Sequence, residues 1–219
     1  MVEHILDRVR EADAVEEIHL VTNSKFAPAF RDWAPADVTV HDDGTTSEDD
    51  RLGAIGDLRL VLDRVGEGHW LVIAGDNLFD YSLRDYVEWW RTKGEASAVA
   101  VYEHPDRELV KQYGVVAIDD VDRILDFVEK PSDPPSNLAA TATYLFHREH
   151  AALVTRYLDE GNSPDQPGRY VEWLYTRVPV YGYRFRGEWL DIGNREQLLE
   201  ADNRLRARAG LPARVEYSV

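Results

Sequence analysis

Cysteine does not occur among the 219 residues. Its absence excludes disulfide frameworks, thiolate zinc sites and cysteine nucleophiles, so any chemistry must come from acidic, basic or histidine side chains or from a metal ion. Lysine is scarce as well, because only four of the 25 basic residues are lysines. Acidic residues number 41, which gives a formal net charge of -16. Such a surface repels nucleic-acid phosphates and anionic lipid, so no nucleic-acid partner is expected.

Long hydrophobic runs are also missing. No apolar stretch approaches the roughly 20 residues of a membrane span, and the opening segment MVEHILDRVREAD is charged throughout, unlike a signal peptide. We therefore predict a cytoplasmic protein with no membrane partner. The surplus of acid with little lysine suggests adaptation to a salty cytoplasm, although a GC-rich genome explains the preference for arginine equally well.

The order of apolar patterns predicts a single α/β domain over residues 1–219. Apolar residues at helical spacing in segment 2–9 predict an opening helix, and EIHLVTN (17–23) predicts a strand. We expect SKFAPAFRDW (24–33) to form a helix capped by Ser24. Further alternation of helices and strands indicates a parallel, doubly wound sheet, to which the hairpin pattern of 113–130 adds antiparallel strands.

Two aspartates follow apolar strand patterns. Asp76 lies in AGDN (74–77), just past a buried strand, where open α/β sheets place their ligands, and Gly75 allows close approach to the backbone. Asp191 lies in EWLDIGN (188–194) at a second strand end. A plain turn or a helix cap would use the same residue types. Together, however, the two carboxylates could share one Mg²⁺ ion.

An adjacent pair of opposite charges, Glu129 and Lys130, ends the strand pattern FVEK (127–130). Side chains alternate along a strand, so we expect the two to lie on opposite faces and to address different parts of one ligand. A lysine suits a phosphate and a carboxylate suits sugar hydroxyls. A surface ion pair is the simpler explanation of such a dipeptide in isolation.

A set of short motifs recurs in one order along the chain: LVTN (20–23), RLGAIGDL (51–58), AGDN (74–77), YGVV (113–116), FVEKP (127–131), SNLAATATYLF (136–146), GRYVEWL (168–174) and WLDIGN (189–194). The ordered set resembles the sugar-1-phosphate nucleotidylyltransferase family, glucose-1-phosphate thymidylyltransferases included, over nearly the whole length. The resemblance implies a Rossmann-like, glycosyltransferase A-type fold with a mixed, mostly parallel sheet and helices on both faces.

The same resemblance implies that a nucleoside triphosphate and a sugar 1-phosphate react with Mg²⁺ to give a nucleotide sugar and pyrophosphate. Asp76 and Asp191 would be the metal ligands, and Lys130 would hold the sugar phosphate. Gly114 would lie against the sugar and Glu129 would accept its hydroxyls. The other implied substrate-binding residues are Gly75, Asn77, Tyr113, Asn137, Thr141 and Trp189.

This sequence departs from the family pattern at two places. Family members open on a buried strand and a glycine-rich triphosphate loop, G-x-G-T-R-L-x-P-x-T, whereas Met1 falls where the following helix starts. Three explanations of the missing loop compete: the start is misassigned or the chain shortened, the protein has lost catalysis and kept a binding role, or a partner chain supplies the loop. We expect weak or no pyrophosphorylase activity as it stands, and two strand edges that a homo-oligomer, a swapped element or a local collapse would fill.

The second departure concerns the nucleobase. The segment that resembles the base-contacting region reads DGTTSEDDRLGAIGDL (43–58) and lacks the family's glutamines. We favour a pyrimidine nucleotide, with guanosine as the alternative. Two other functions stay open, namely a glycosyltransferase on the same fold and a catalytically silent subunit that binds a sugar phosphate or a nucleotide sugar.

Overall fold

A computed structural model of the chain describes residues 1–216. Helices and strands alternate through most of it. The helices are α1 (Val2–Ala12), α2 (Ala27–Trp33), α3 (Ala54–Val65), α4 (Leu83–Arg91), α5 (Arg107–Val110), α6 (Arg148–Asp159), α7 (Pro167–Leu174) and α8 (Arg195–Arg208). The strands are β1 (Ile18–Thr22), β2 (Val38–Asp42), β3 (Trp70–Ile73), β4 (Asn77–Phe79), β5 (Ser97–Glu103), β6 (Gly114–Ile118), β7 (Ile124–Glu129), β8 (Leu138–Phe146), β9 (Val180–Arg184) and β10 (Trp189–Asp191).

The main sheet has six strands in the order β7-β6-β8-β5-β9, and β3 also pairs with β8. Strand β8 is antiparallel to β3, β5 and β6, while β9 is parallel to β5. The strands β3, β5, β6 and β9 therefore run in one direction, as expected of a mostly parallel sheet. The neighbouring pairs are nevertheless mainly antiparallel, because β8 runs the other way between them. The predicted β6–β7 hairpin is present.

Two small sheets flank the main one: β1 and β2 pair in parallel, and β4 and β10 pair antiparallel. Along residues 1–216, β1 has only β2 as a strand partner and β3 has only β8. Each of the two strands thus has one open edge, as the sequence predicted. Side chains still meet between them, since the rings of His19 and Trp70 lie 5.9 Å apart.

Helices cover both faces of the main sheet. Successive residues of β5 point to opposite sides, so that Val99 and Val101 pack with helices α3, α6 and α7, whereas Ala98 and Ala100 pack with α1 and α4. The two layers agree with the predicted α/β architecture. No helix in the described part of the chain combines the length and apolar character needed to cross a membrane.

The helix cap predicted at Ser24 is wrong, although other helices have side-chain caps. Ser82 caps α4 by accepting a hydrogen bond from the Asp85 amide, and Asn194 caps α8. Ser24 does not cap α2, which begins at Ala27. Its hydroxyl instead donates to Asp42 Oδ1 over 2.6 Å, because the chain between β1 and α2 turns toward the end of β2.

Candidate active site

A cleft of about 340 Å³ opens beside β8, at the point where the strand that pairs with this edge of β8 changes from β6 to β3. Eight of the eleven predicted site residues line it: Asp76, Asn77, Tyr113, Gly114, Glu129, Lys130, Trp189 and Asp191. These residues come from distant chain segments, and Asp76 and Asp191 are separated by 115 positions in the sequence (191 − 76). The fold therefore brings together the sequence motifs that contain them.

The two predicted metal-ligating aspartates stand side by side. Asp76 immediately precedes β4, and Asp191 ends β10 opposite Asn77 in the antiparallel pairing. The Ile192 amide also donates to the Asp76 carbonyl over 3.0 Å. Burial raises the pKa of the Asp191 carboxyl, the Asp76 charge raises it further, and Lys130 opposes both effects. Two neighbouring carboxylates in a partly buried site are a favourable position for a cation.

The donor set of this pair suits a hard divalent cation, because Mg²⁺ is typically held by one or two carboxylates together with substrate phosphates and water. Across residues 1–216, no group of three or more histidine or acidic side chains has the arrangement of a metal site. A cation at Asp76 and Asp191 would consequently take its remaining ligands from phosphate and water.

Asn77 acts as a link within the cleft wall. It is 2% exposed, its amide nitrogen donates to Asp76 Oδ1 over 2.8 Å, and its amide oxygen accepts from Trp189 Nε1 over 2.5 Å. The Trp189 ring in turn meets Tyr113 edge-on, with centroids 4.8 Å apart. Asn77 therefore orients the Asp76 carboxylate and is itself held by Trp189. The side-chain amide of Asn77 and the indole N–H of Trp189 are satisfied by these two hydrogen bonds.

Glu129 and Lys130 both face the cleft, which differs from the predicted placement on opposite faces. Strand β7 ends at Glu129, and Lys130 has a left-handed backbone with φ 52°. Its amide donates to the Tyr113 carbonyl over 3.1 Å. The alternation of a regular strand does not extend across this turn, so the lysine stays on the same side as the glutamate.

Two glycines make room for the Glu129 carboxylate. A methyl group at Gly168 would overlap Glu129 Oε2, and one at Gly114 would lie 2.9 Å from it. Burial raises the pKa of Glu129, while the charges of Lys130 and Arg169 lower it. The Glu129 carboxylate is thus held between β6 and the start of α7, close to the positive charges of Lys130 and Arg169.

Three predicted residues lie elsewhere. Thr141 is completely buried and donates to the Ala100 carbonyl over 3.0 Å, so its prediction as a cleft residue is wrong: strand alternation brings Ala140 and Ala142 to the cleft instead. Asn137 lies outside the cleft and accepts from Arg107 Nη1 over 3.2 Å. Gly75 sits between two lining residues beside open space.

The cleft also contains residues that were not predicted: Ala54, Ala74, Gln112, Ala140, Ala142, Tyr144, Gln166, Pro167 and Gly168. Most of them lie in or beside motifs already noted, such as RLGAIGDL, SNLAATATYLF and GRYVEWL. The motifs marked the correct segments, but apolar and small side chains gave no chemical reason to select them. Tyr144 is a larger residue among those not predicted, and burial and the nearby Glu129 charge both raise the pKa of its hydroxyl.

Comparison with known sequences identifies the family. The sequence profile described as nucleotidyl transferase matches residues 1–208. The chain belongs to the nucleotidyl transferase family. This membership agrees with the resemblance seen in the motifs, and every one of those motifs except LVTN contributes a residue to the cleft.

Individual relatives are more distant. A glucose-1-phosphate adenylyltransferase of Clostridium acetobutylicum is 29% identical over 138 residues, which cover 60% of this chain and 35% of that protein. The Thermotoga neapolitana enzyme of the same name is also 29% identical over 138 residues, 60% of this chain and 32% of its own length. The chain thus spans about a third of the length of the curated relatives it matches.

A solved structure supports the fold. A Bacillus anthracis protein assigned as a glucose-1-phosphate thymidylyltransferase, crystallised with sucrose, superposes with a TM-score of 0.76 and 23% identity. The match covers 94% of this chain and 82% of that one. At this identity the likeness establishes the shared Rossmann-like architecture.

Proposed function

We propose that this nucleotidyl transferase joins a sugar 1-phosphate to a nucleoside triphosphate, giving a nucleotide sugar and pyrophosphate. The observation that carries the proposal is the meeting of Asp76 and Asp191 on paired strands with Lys130 in the same cleft. The named relatives, which are adenylyl- and thymidylyltransferases for glucose 1-phosphate, support the same substrate class.

In the proposed reaction, an oxygen of the sugar 1-phosphate attacks the α-phosphorus of the triphosphate. The bond from that phosphorus to the bridging oxygen breaks, and pyrophosphate leaves with the electron pair. Phosphoryl chemistry of this kind depends on positioning and charge neutralisation, so a nucleophilic side chain is not needed.

Each charged residue of the cleft has a role in this reaction. Asp76 and Asp191 would hold Mg²⁺, which neutralises phosphate charge when bound. Lys130 would pair with the sugar phosphate, as a compact cation suits. Glu129 would accept sugar hydroxyls, and Gly114 would let the sugar approach β6.

The direct test measures pyrophosphate release with each common nucleoside triphosphate, a hexose 1-phosphate and Mg²⁺. Asp76→Asn and Asp191→Asn should each lower the rate by about a hundredfold or more. Asp120→Asn, an exposed acid in the β6–β7 turn, is the matched control and should leave the rate unchanged. Because weak or no release is expected of the chain as it stands, the decisive contradiction would be equal rates clearly above background in all three variants.

Calorimetry separates the proposed function from the two alternatives. Binding of a nucleoside triphosphate with Mg²⁺ and of a sugar 1-phosphate is expected. A protein that binds the sugar 1-phosphate alone would be a silent binding subunit, and one that binds only finished nucleotide sugar would fit a glycosyltransferase. Lys130→Met should weaken sugar-phosphate binding by about thirtyfold, the value of a charge-assisted hydrogen bond.

We further infer a cytoplasmic location and a homo-oligomeric assembly. Within the described residues, the open edges of β1 and β3 support the second inference. Light scattering during gel filtration measures the assembly directly, and a strict monomer would remove the second inference.

A further inference from the structure

Strand β8 has a break in its regular conformation at Ala142. Its first residues pair with β6, and its residues from Thr143 onward pair with β3. On the other edge, the pairing with β5 shifts register between Val99 and Val101. Ala142 lies at the break with φ 51°, a left-handed conformation that is uncommon for residues other than glycine. This is a β-bulge in the floor of the cleft.

The bulge changes how β8 binds the chain after β3. The pairing of Ile73 with Thr143 would continue as Ala74 with Ala142, and a regular antiparallel pair of this type exchanges two hydrogen bonds. Here the Ala74 amide donates to the Ala142 carbonyl over 3.0 Å. Within the described residues, the return bond from the Ala142 amide to the Ala74 carbonyl is not made.

Among residues 1–216, the Ala74 carbonyl accepts no hydrogen bond from Ala142 and instead accepts one from within its own turn. The Asn77 amide donates to it over 3.3 Å, which closes the turn that contains Gly75 and Asp76. The turn is therefore held at both ends: by β8 through Ala74, and by its own closing bond through Asn77. Because Asp76 lies inside this turn, the position of its carboxylate depends on the bond that Ala142 does not make.

We propose that Ala142 is a positioning residue for Asp76, acting through its left-handed backbone conformation. An extended residue at this position would direct its amide to the Ala74 carbonyl and align that carbonyl with β8 as in a regular ladder, which would turn it away from the Asn77 amide and open the turn. The inference rests on the proposed function, in which Asp76 is a metal ligand. It assigns a role to a residue whose side chain carries no functional group, and it gives a reason for an unfavourable backbone conformation beside the cleft.

The test compares three variants. Ala142→Val disfavours the left-handed conformation because valine is β-branched, whereas Ala142→Gly permits it. Asp13→Val is the matched control, since Asp13 has φ 50° at the exposed end of α1. The two measurements are hydrogen exchange of the Asn77 amide and Mg²⁺ affinity by calorimetry, both in the full chain.

We expect Ala142→Val to speed exchange of the Asn77 amide and to weaken Mg²⁺ binding, each by about tenfold. Ala142→Gly and Asp13→Val should leave both unchanged, even though Asp13→Val lowers the melting temperature. Normal Asn77 protection in Ala142→Val would overturn the proposal, as would an equal loss in Ala142→Gly or Asp13→Val. If Ala142→Val does not fold, retention of both properties in Ala142→Gly supports the proposal and their loss overturns it.

The two measurements also separate this proposal from the proposed function. If the unsubstituted protein binds no Mg²⁺, the assignment of Asp76 as a metal ligand fails. The exchange of the Asn77 amide still decides, in that case, whether Ala142 holds the turn.

Discussion

The β1–β2 sheet and the sheet around β8 differ in how their strands are supported. Strand β8 pairs with three others, and residues 97–101 of its neighbour β5 are at most 1% exposed. All five residues of β1 are half-buried, and among residues 1–216 its only strand partner is β2. The main sheet around β8, which carries most of the cleft, thus has paired strands on both edges of β8 and helices on both faces, whereas β1 is paired along one edge.

The two regions also differ in chemistry. Between β1 and β2, His19 Nδ1 lies 3.1 Å from His41 Nε2, and the segment 42–50, which begins at the last residue of β2, contains five acidic residues. The interior around β8 consists mainly of aliphatic and aromatic side chains. Because polar, singly paired strands open more easily, we expect the β1–β2 sheet to open locally at a lower free energy than β8.

The largest expected effect comes from shortening one leucine in each region. Leu145 in β8 is 4% exposed, whereas Leu20 in β1 is half-buried. Leu145→Ala should lower the free energy of unfolding by about 3 kcal/mol, the usual cost of a cavity in a tight core, and Leu20→Ala by about 1 kcal/mol. Urea denaturation measures both, and equal losses would show that the two regions are equally well packed.

The sequence predicted the elements around β8 better than their pairing. Periodicity located the β6–β7 hairpin and the alternating helices and strands before it, because each pattern reports burial of one face or both. It could not reveal that β8 runs antiparallel between β3 and β5. That arrangement depends on contacts between residues that are from 35 (103 and 138) to 76 (70 and 146) positions apart along the chain, for which a local pattern carries no information.

Four of the predicted site residues carry charge, and all of them line the cleft: Asp76, Glu129, Lys130 and Asp191. The sequence could select them because charged groups stand out at the ends of apolar strand patterns, and their roles in binding and catalysis stay predictions. Thr141 was misplaced because a threonine in a strand can face either layer. The backbone conformations of Lys130 and Ala142 could not be read from side-chain chemistry, although they determine which groups reach the cleft.

A second prediction concerns the close contact between Glu129 and α7, on the well-supported side of the molecule. Gly168→Ala should lower the free energy of unfolding by about 1 kcal/mol, because the new methyl group would overlap the Glu129 carboxylate and force that side chain into another position in the cleft. Gly193→Ala is the control, since its methyl group would make an ordinary contact at 3.5 Å. Thermal and urea denaturation of both variants give the comparison, and an unaffected Gly168→Ala would mean that this wall of the cleft adjusts freely.

A third prediction concerns Asp57, on the α3 helix beside the loop that follows β2. Burial, helped by the charge of Asp43, raises the pKa of Asp57 to about 6, and within residues 1–216 its buried Oδ1 has no hydrogen-bond partner. The folded pKa exceeds the unfolded value of about 3.9, so stability present at low pH is lost as the pH rises through about 6.

Asp57→Asn removes this penalty. Because the side chain is half-buried and water screens its charge, we expect a gain of about 1 kcal/mol at neutral pH and none below about pH 4. Asp63→Asn, on the exposed side of the same helix with an ion pair to Arg59, is the control and should not be stabilised. Unfolding free energies across the pH range test the sign, and a loss of stability in Asp57→Asn at neutral pH would contradict it.

The smallest expected effect is that of salt on the two regions. With a net charge of -16, repulsion among acidic groups should weaken as KCl is raised from about 0.1 M to about 2 M, and the melting temperature should rise. The acidic segment 42–50 lies next to β2, so hydrogen exchange in β1 and β2 should slow more than exchange in β8. A melting temperature that does not respond to KCl would count against adaptation to a salty cytoplasm and leave genome composition as the explanation for the scarce lysine. Equal slowing of exchange in β1, β2 and β8 would instead mean that the charge repulsion acts on the molecule as a whole rather than on the β1–β2 sheet.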